Sequence, residues 1–153
     1  DYGVNGGVVT ETAVIGPGGS RIVCRFNTVG RPVQRMNRSG QPQVLERRSG
    51  DNLVTSVTDG LGRRREDAYD AAGNITRVAG PGDSALTYTY DPEFHQVTRV
   101  EDQAGRGFTY EYDDAGRLTA IQDAQERRLV MTYDEGERPE TLRNERDEVN
   151  RFE

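Results

Sequence analysis

The chain has 153 residues and a formal charge of −6, from 20 basic and 26 acidic side chains. Leu, Ile, Val and Phe together number only 30, which with this charge lies at the compositional border of intrinsic disorder. A thick two-layer hydrophobic core is therefore not expected. The sequence contains no apolar run approaching the roughly 18 residues of a membrane-spanning helix, and no basic segment followed by an apolar stretch. We expect neither a membrane-spanning segment nor an export signal within it.

All 20 basic side chains are Arg, a composition that by itself would suggest phosphate or nucleic-acid binding. These arginines are spread along the whole chain among a larger number of carboxylates, and the one run of three is Arg63, Arg64 and Arg65. A solvated surface of mixed charge explains this pattern better than a phosphate groove. No nucleic-acid partner is predicted.

Side chains that carry chemistry are scarce, with Cys24 the single Cys and His95 the single His. Cys24 cannot form an internal disulfide, and its place in an apolar-polar alternation suits a small strand hydrophobe. One His and one Cys do not make a zinc site, and no Ser stands in a Gly-x-Ser-x-Gly elbow. We predict a turn position for His95, no catalytic, cofactor-binding or metal site, and no enzymatic activity.

Four Tyr-Asp pairs recur at spacings of 21, 22 and 21 residues, which indicates an internal repeat. The same spacing extended toward the N-terminus finds degenerate copies at Phe26-Asn27 and Val4-Asn5, whereas position 47 is Arg and does not fit. The four pairs are Tyr69-Asp70, Tyr90-Asp91, Tyr112-Asp113 and Tyr133-Asp134.

The Asp of each pair is predicted to begin a turn. Gly73 and Gly116 stand three residues after Asp70 and Asp113, where the carboxylate can accept backbone N–H groups while Gly takes a left-handed conformation. Arg117 follows Gly116 directly and is placed to pair with Asp113. The residues assigned to the repeat structure are Tyr69, Asp70, Gly73, Tyr90, Asp91, Tyr112, Asp113, Gly116, Arg117, Tyr133 and Asp134.

Apolar and polar residues alternate before each pair and again after each turn, as in Ile75-Thr76-Arg77-Val78, which is a strand signal. A second polar turn, such as residues 102–106, closes the unit. Two short strands and two turns account for 21 to 22 residues and leave no room for a helix. We predict an all-β fold in which antiparallel strand-turn-strand repeats form a curved single-layer β-strip. Residues 1–51 would hold degenerate repeats and residues 52–153 clear ones, in one continuous array.

The repeat resembles the YD repeat of RHS proteins, through the pattern Tyr-Asp-x-x-Gly-Arg/Asn-Leu/Ile and an intervening Asp-x-x-Gly-Arg turn. The best stretch runs from about 52 to 142. The resemblance implies a long β-strip that spirals into a hollow shell, as in bacterial RHS toxins, the C component of Tc insecticidal toxins and the teneurins. In the bacterial proteins this shell encloses a toxic C-terminal segment.

On this resemblance the chain is expected to be a structural segment of a shell that encapsulates and helps deliver the toxic C-terminal domain of a bacterial secreted toxin. Its partners would be the rest of the shell and the enclosed toxin segment, and its location secreted or cell-surface as part of a larger protein. Both ends fall inside predicted strands, since Phe152-Glu153 matches Tyr110-Glu111 two periods earlier. We therefore expect a piece of a longer polypeptide, truncated within a repeat.

Two repeated side-chain types allow other interpretations. The aspartates could form a calcium ladder, but calcium takes about six to eight oxygen ligands and one Asp appears per repeat, so backbone capping with Arg pairing is favoured. The aromatic residues of one parity, from Tyr88 to Tyr133, predict an aromatic ladder on one sheet face. Alternatively, this stripe could bind glycan in a cell-surface adhesion or carbohydrate-binding module.

Overall fold

A computed structural model describes residues 2–19, 21–36, 39–146 and 148–152. The chain divides into two units, residues 1–68 with 78–83, and residues 69–77 with 84–153. The described residues form β-strands joined by turns, and the one helical element among them is the 3-10 turn Pro17–Gly19. Within those residues, no helix has the length and apolarity to cross a bilayer. The all-β prediction is confirmed for these residues. Glu153, which the repeat spacing matches to Glu111, lies outside the described residues.

In the first unit, each strand pairs antiparallel with the next strand in the chain. Its first hairpin turns through Gly6 and Gly7, whose φ angles of 57° and 83° give the two-residue turn that matches the right-handed twist of paired strands. The strands are β1 (Tyr2–Asn5), β2 (Val8–Ile15), β3 (Arg21–Phe26), β4 (Pro32–Met36), β5 (Pro42–Arg47), β6 (Val54–Thr58) and β7 (Arg64–Tyr69).

The second unit repeats this arrangement, again with antiparallel pairing of consecutive strands from β9 to β15. Strand β8 (Ile75–Ala79) contributes residues to both units. The remaining strands are β9 (Ala85–Tyr90), β10 (Val97–Asp102), β11 (Gly107–Tyr112), β12 (Leu118–Asp123), β13 (Arg128–Tyr133), β14 (Pro139–Arg143) and β15 (Val149–Arg151).

One sheet face of the second unit carries the aromatic side chains, and we call it the aromatic face. Tyr88 on β9 lies opposite Val100 on β10, and Val100 lies opposite Phe108 on β11. Tyr110 on β11 likewise lies opposite Ile121 on β12. The tyrosine-bearing strands are therefore separated by return strands with aliphatic residues, which places them two strand spacings, roughly 9.5 Å, apart. The aromatic side chains share one face, but they do not stack on one another as the predicted ladder and form a row interleaved with aliphatic side chains.

Few side chains are buried, as expected of a single-layer sheet with scarce apolar residues. Among the described residues, the buried hydrophobic ones are Ala13, Val23, Ala85 and Ala120. Ser56 in the first unit is 1% exposed although its neighbours across the sheet are Glu46 of β5 and Glu66 of β7. Arg64 of β7 reaches across β6 to Glu46 at 2.7 Å and covers Ser56. Ion pairs thus shield part of this sheet from water, as a second layer of secondary structure does in two-layer folds.

Candidate functional site

The turn after Tyr112 shows how the repeated Asp works. One oxygen of Asp113, Oδ1, accepts the backbone N–H groups of Ala115 at 3.0 Å and Arg117 at 2.9 Å. The other oxygen, Oδ2, accepts the Arg117 Nε–H at 2.8 Å. The N–H of Gly116 reaches back to the Asp113 carbonyl at 2.8 Å, with a φ of 77° that suits glycine. The Asp113 carboxylate caps the turn, and the Arg117 side chain pairs with it.

The same turn recurs at both ends of the strands, not only after the Tyr-Asp pairs. The Asp N–H donates to the carbonyl of the fourth residue on, at 2.8 to 3.0 Å, and the Asp Oδ1 accepts that residue's N–H. Three-residue loops with a left-handed third position are a common hairpin connection. The turns of this type begin at Asp59, Asp70, Asp102, Asp113, Asp123 and Asp134.

The turn at Asp91 is one residue longer. Asp91 Oδ1 accepts the N–H groups of Glu93 and Phe94, at 2.9 and 2.8 Å. The N–H of His95 donates to the Asp91 carbonyl at 3.1 Å, and its φ of 54° puts it in the left-handed position. The turn position predicted for His95 is therefore present, and a histidine fills the slot that glycine takes in the shorter turns.

Hydrogen bonds hold the pKa of the capping carboxyls in the six shorter turns below its ordinary value. For Asp113 the backbone N–H of Arg117 is the largest cause of the lowered pKa. For Asp123 the largest cause is the Arg127 side chain. At Asp70, where the fourth residue is Asn74, the amide side chain takes the place of the guanidinium and again lowers the pKa.

The tyrosine of the pair ties the end of its strand to the start of a neighbouring strand. The Tyr90 hydroxyl donates to the Ile75 carbonyl at 2.7 Å. Tyr112 and Tyr133 donate in the same way to Val97 and Leu118, both at 2.8 Å. In all three the acceptor stands fifteen residues earlier. We call this hydrogen bond the tyrosine tether.

Contacts between successive turns add a second connection along this edge of the second unit. Asn74 and His95 meet through side-chain nitrogens at 3.2 Å. The Gln96 amide donates to the Gly116 carbonyl at 2.7 Å. The next contact is a cation–π pair, with the Arg117 guanidinium 4.9 Å from the centre of the Tyr133 ring. Each turn therefore helps to place the next one.

The Arg63 to Arg65 run is divided among four carboxylate partners, of which Glu66 is a second partner of Arg64 at 3.0 Å. Arg63 pairs with Asp59 in its own turn, Arg64 with Glu46, and Arg65 with Asp67, all at 2.7 Å. Because each guanidinium is already paired, the run forms no cluster of free positive charge. Within residues 2–19, 21–36, 39–146 and 148–152, no group of three His, Cys, Asp or Glu side chains is placed to hold a metal ion.

Two features of this surface were not predicted from the sequence. Asp67 stands two residues before Tyr69, where other repeats carry an apolar residue such as Tyr88 or Tyr110, yet its side chain is only 1% exposed. Glu46 and Arg64 face each other from strands separated by one strand. They stand 18 residues apart in the sequence, and no local pattern marks them as a pair.

Together, these turns, tethers and ion pairs define a repetitive β-hairpin array built around capped Asp turns. The model of the RHS repeat matches residues 69–94, 92–128 and 112–148, more than half of the 153 residues. The chain belongs to the RHS repeat family. A comparison with curated protein sequences finds no match.

Solved structures of Tc toxin chains share the fold. The crystal structure of TcdB2-TccC3-TEV matches with a TM-score of 0.66 at 16% identity, over 80% of this chain and 7% of that chain. TcdB2-TccC3 without its hypervariable C-terminal region matches with a TM-score of 0.62 at 16% identity, over 90% and 9%. A Photorhabdus luminescens Tc holotoxin pore matches at 0.54 and 13% identity, over 82% and 9%. The chain thus spans less than a tenth of the length of these proteins.

Proposed function

We propose that this chain is a wall segment of a larger bacterial RHS shell that encloses a toxic polypeptide and helps to deliver it. Membership of the RHS repeat family and the fold shared with Tc toxin chains support this role. The partners would be the remaining wall of the same shell and the polypeptide inside it, in a protein that is secreted or displayed at the cell surface. Chemistry would belong to other parts of that protein, and the wall itself needs no catalytic residue.

The observation that carries this proposal is the difference between the two faces of the sheet. On the polar face, charged side chains neutralise one another in pairs such as Glu111–Arg128 and Arg99–Glu101, both at 2.6 Å. On the aromatic face, Phe108 and Leu129 remain 49% and 39% exposed. The charges of the polar face are therefore paired within the sheet, whereas the aromatic face still exposes apolar surface that a partner could bury.

This asymmetry favours the aromatic face as the one that contacts the enclosed polypeptide. A chain held in a partly folded state exposes apolar side chains, which a row of half-exposed aromatic and aliphatic residues can cover without recognising one sequence. The ion-paired polar face suits contact with water. The wall would then protect its cargo chiefly by apolar contact.

The test uses the intact parent protein and limited proteolysis of the segment after its repeats. We expect that segment to be digested far more slowly in the native protein than after unfolding of the shell. Lys substitutions at Phe108 and Leu129 on the aromatic face should reduce this protection. Lys substitutions at the exposed Thr89 and Thr132 on the polar face are the matched controls and should leave it unchanged. Equal digestion in native and unfolded protein would contradict the wall role.

A second candidate function, glycan binding, is favoured by a groove at one end of β11. The groove has a volume of about 370 Å³, and its lining includes Phe108, Thr109, Glu101 and Gln122. The carboxylate, amide and hydroxyl groups of Glu101, Gln122 and Thr109 share the polar face and suit hydrogen bonding to sugar hydroxyls. Saturable binding to a glycan array that Gln122→Ala removes and Leu129→Ala preserves would support it. Absence of saturable binding would exclude this candidate.

A further inference from the structure

Arg47 ends β5 at the point where the spacing of the repeats calls for a tyrosine, 22 residues before Tyr69. Its half-buried side chain makes two hydrogen bonds to backbone carbonyls. The Nε–H donates to Pro32 at 2.8 Å, and an Nη1–H donates to Asn52 at 2.6 Å. These contacts join Arg47 to the preceding strand β4 and to the turn that follows β5.

The bond to Pro32 has the geometry of a tyrosine tether. Pro32 is the first residue of β4, just as Val97 and Leu118 are the first residues of the strands that Tyr112 and Tyr133 reach. The acceptor again stands fifteen residues before the donor. The donor-to-acceptor distance of 2.8 Å is also the same as in those two tethers.

The turn after Arg47 copies the longer turn that follows Tyr90. The N–H of Arg48 donates to the Leu53 carbonyl at 2.9 Å, and the N–H of Asn52 donates to the Arg48 carbonyl at 3.1 Å. The corresponding bonds from Asp91 and His95 measure 2.8 and 3.1 Å. Asn52 has a φ of 60°, beside the 54° of His95. Position 47 lacks the tyrosine of the other repeats, yet it is followed by the same kind of turn.

We infer that Arg47 is the tether residue of a repeat outside the residues that the family model matches, and that it keeps the array continuous through β4, β5 and the turn to β6. This inference is independent of the proposed function. A guanidinium has five N–H donors in a planar fork, so one side chain can serve Pro32 and its own turn together. A tyrosine hydroxyl has one donor and serves only the carbonyl of the earlier strand.

Amide hydrogen exchange on the full chain tests this inference, with the N–H groups of Arg48 and Asn52 as reporters of the turn. Arg47→Leu removes every donor and leaves two carbonyls without a partner, so both amides should lose about tenfold or more of their protection. Arg47→Tyr restores the single tether of the other repeats and should keep protection within about threefold of the parent chain. Arg47→Lys, a cation with a single donor atom, should fall between the two.

The matched control is Arg35→Leu, which removes an arginine whose bond is to a side chain, Gln43 at 2.6 Å. It should leave the protection of Arg48 and Asn52 unchanged. Unchanged protection in Arg47→Leu would overturn the inference, and so would an Arg47→Tyr variant as unprotected as Arg47→Leu. If Arg47→Leu does not fold, the comparison of Arg47→Tyr with Arg47→Lys decides, because a purely electrostatic role predicts that Lys performs better than Tyr.

Discussion

Glu111 and Arg128 meet above Ala120 on the polar face of the second unit. Arg128 Nη1 and Nη2 donate to the two carboxylate oxygens of Glu111 at 2.7 and 2.6 Å, from β13 to β11 across the intervening β12. Ala120 lies directly opposite Glu111 in the sheet and is only 2% exposed. The bidentate pair acts as a cover that needs a small residue beneath it. Glu46, Arg64 and Ser56 repeat the arrangement in the first unit.

Ala120→Leu should destabilise the chain by about 1–3 kcal/mol, because the larger side chain must displace the ion pair above it. Ala124→Leu is the matched control, since Ala124 is exposed at a turn and such a change alters stability by about 0.5 kcal/mol or less. Urea unfolding followed by circular dichroism measures both. If the two variants lose the same stability, Ala120 is not confined by a cover.

Stability should fall in acid partly through Glu46, whose pKa is lowered to about 2, chiefly by hydrogen bonding to the Arg64 side chain and then to Ser56. A carboxyl with a lowered folded-state pKa contributes stability that is fully present above its unfolded pKa, about 4.5, and lost as pH falls toward its folded pKa. Thermal unfolding of the parent chain and Glu46→Gln should therefore differ most above pH 5 and converge toward pH 2. Glu93→Gln, at an exposed turn, is the control and should track the parent. A constant difference between parent and Glu46→Gln would contradict this origin.

Glu126 and Glu137 occupy left-handed turn positions, with φ of 65° and 64°, where other turns place glycine. A non-glycine residue there costs about 1 kcal/mol, so Glu126→Gly and Glu137→Gly should each raise stability by up to that amount. Gln125→Gly, one residue earlier in the same turn, should not, because it adds chain entropy and relieves no strain. Thermal unfolding measures all three. A loss of stability in both Glu variants would show that these side chains make contacts worth more than the strain.

The sequence was sufficient where a local rule determines the structure. Tyr112, Asp113, Gly116 and Arg117 occur in the order that a capped turn requires, so the fold class and this turn could be predicted from the residues alone. It was insufficient where a partner lies two strands away, as with Glu111 and Arg128, because their pairing depends on the register of three strands. The sequence also did not show which residue of a turn takes the left-handed conformation. In the turn after Asp134, Gly136 is the residue type expected there, yet the left-handed φ belongs to Glu137.

The tyrosine tether should be measurable at Tyr112, which bonds to the Val97 carbonyl. Tyr112→Phe keeps the ring and removes the donor, so it should cost about 1 kcal/mol, whereas Tyr112→Ala also loses the packed ring and should cost more. Thr109→Ala on the polar face of the same strand should cost less than either. Equal losses of stability in Tyr112→Ala and Thr109→Ala would mean that packing in the aromatic row does not stabilise the fold.

The same tether predicts a weakness in alkali. Burial, followed by the charge of neighbouring Tyr110, raises the pKa of Tyr112 above its ordinary value. A raised folded-state pKa means that the contribution is fully present below the unfolded pKa of about 10 and is lost as pH rises through the folded value, since a phenolate cannot donate to a carbonyl. The difference in unfolding free energy between the parent chain and Tyr112→Phe should therefore shrink above pH 10. A difference that stays constant to pH 12 would mean that the hydroxyl contributes nothing through its proton.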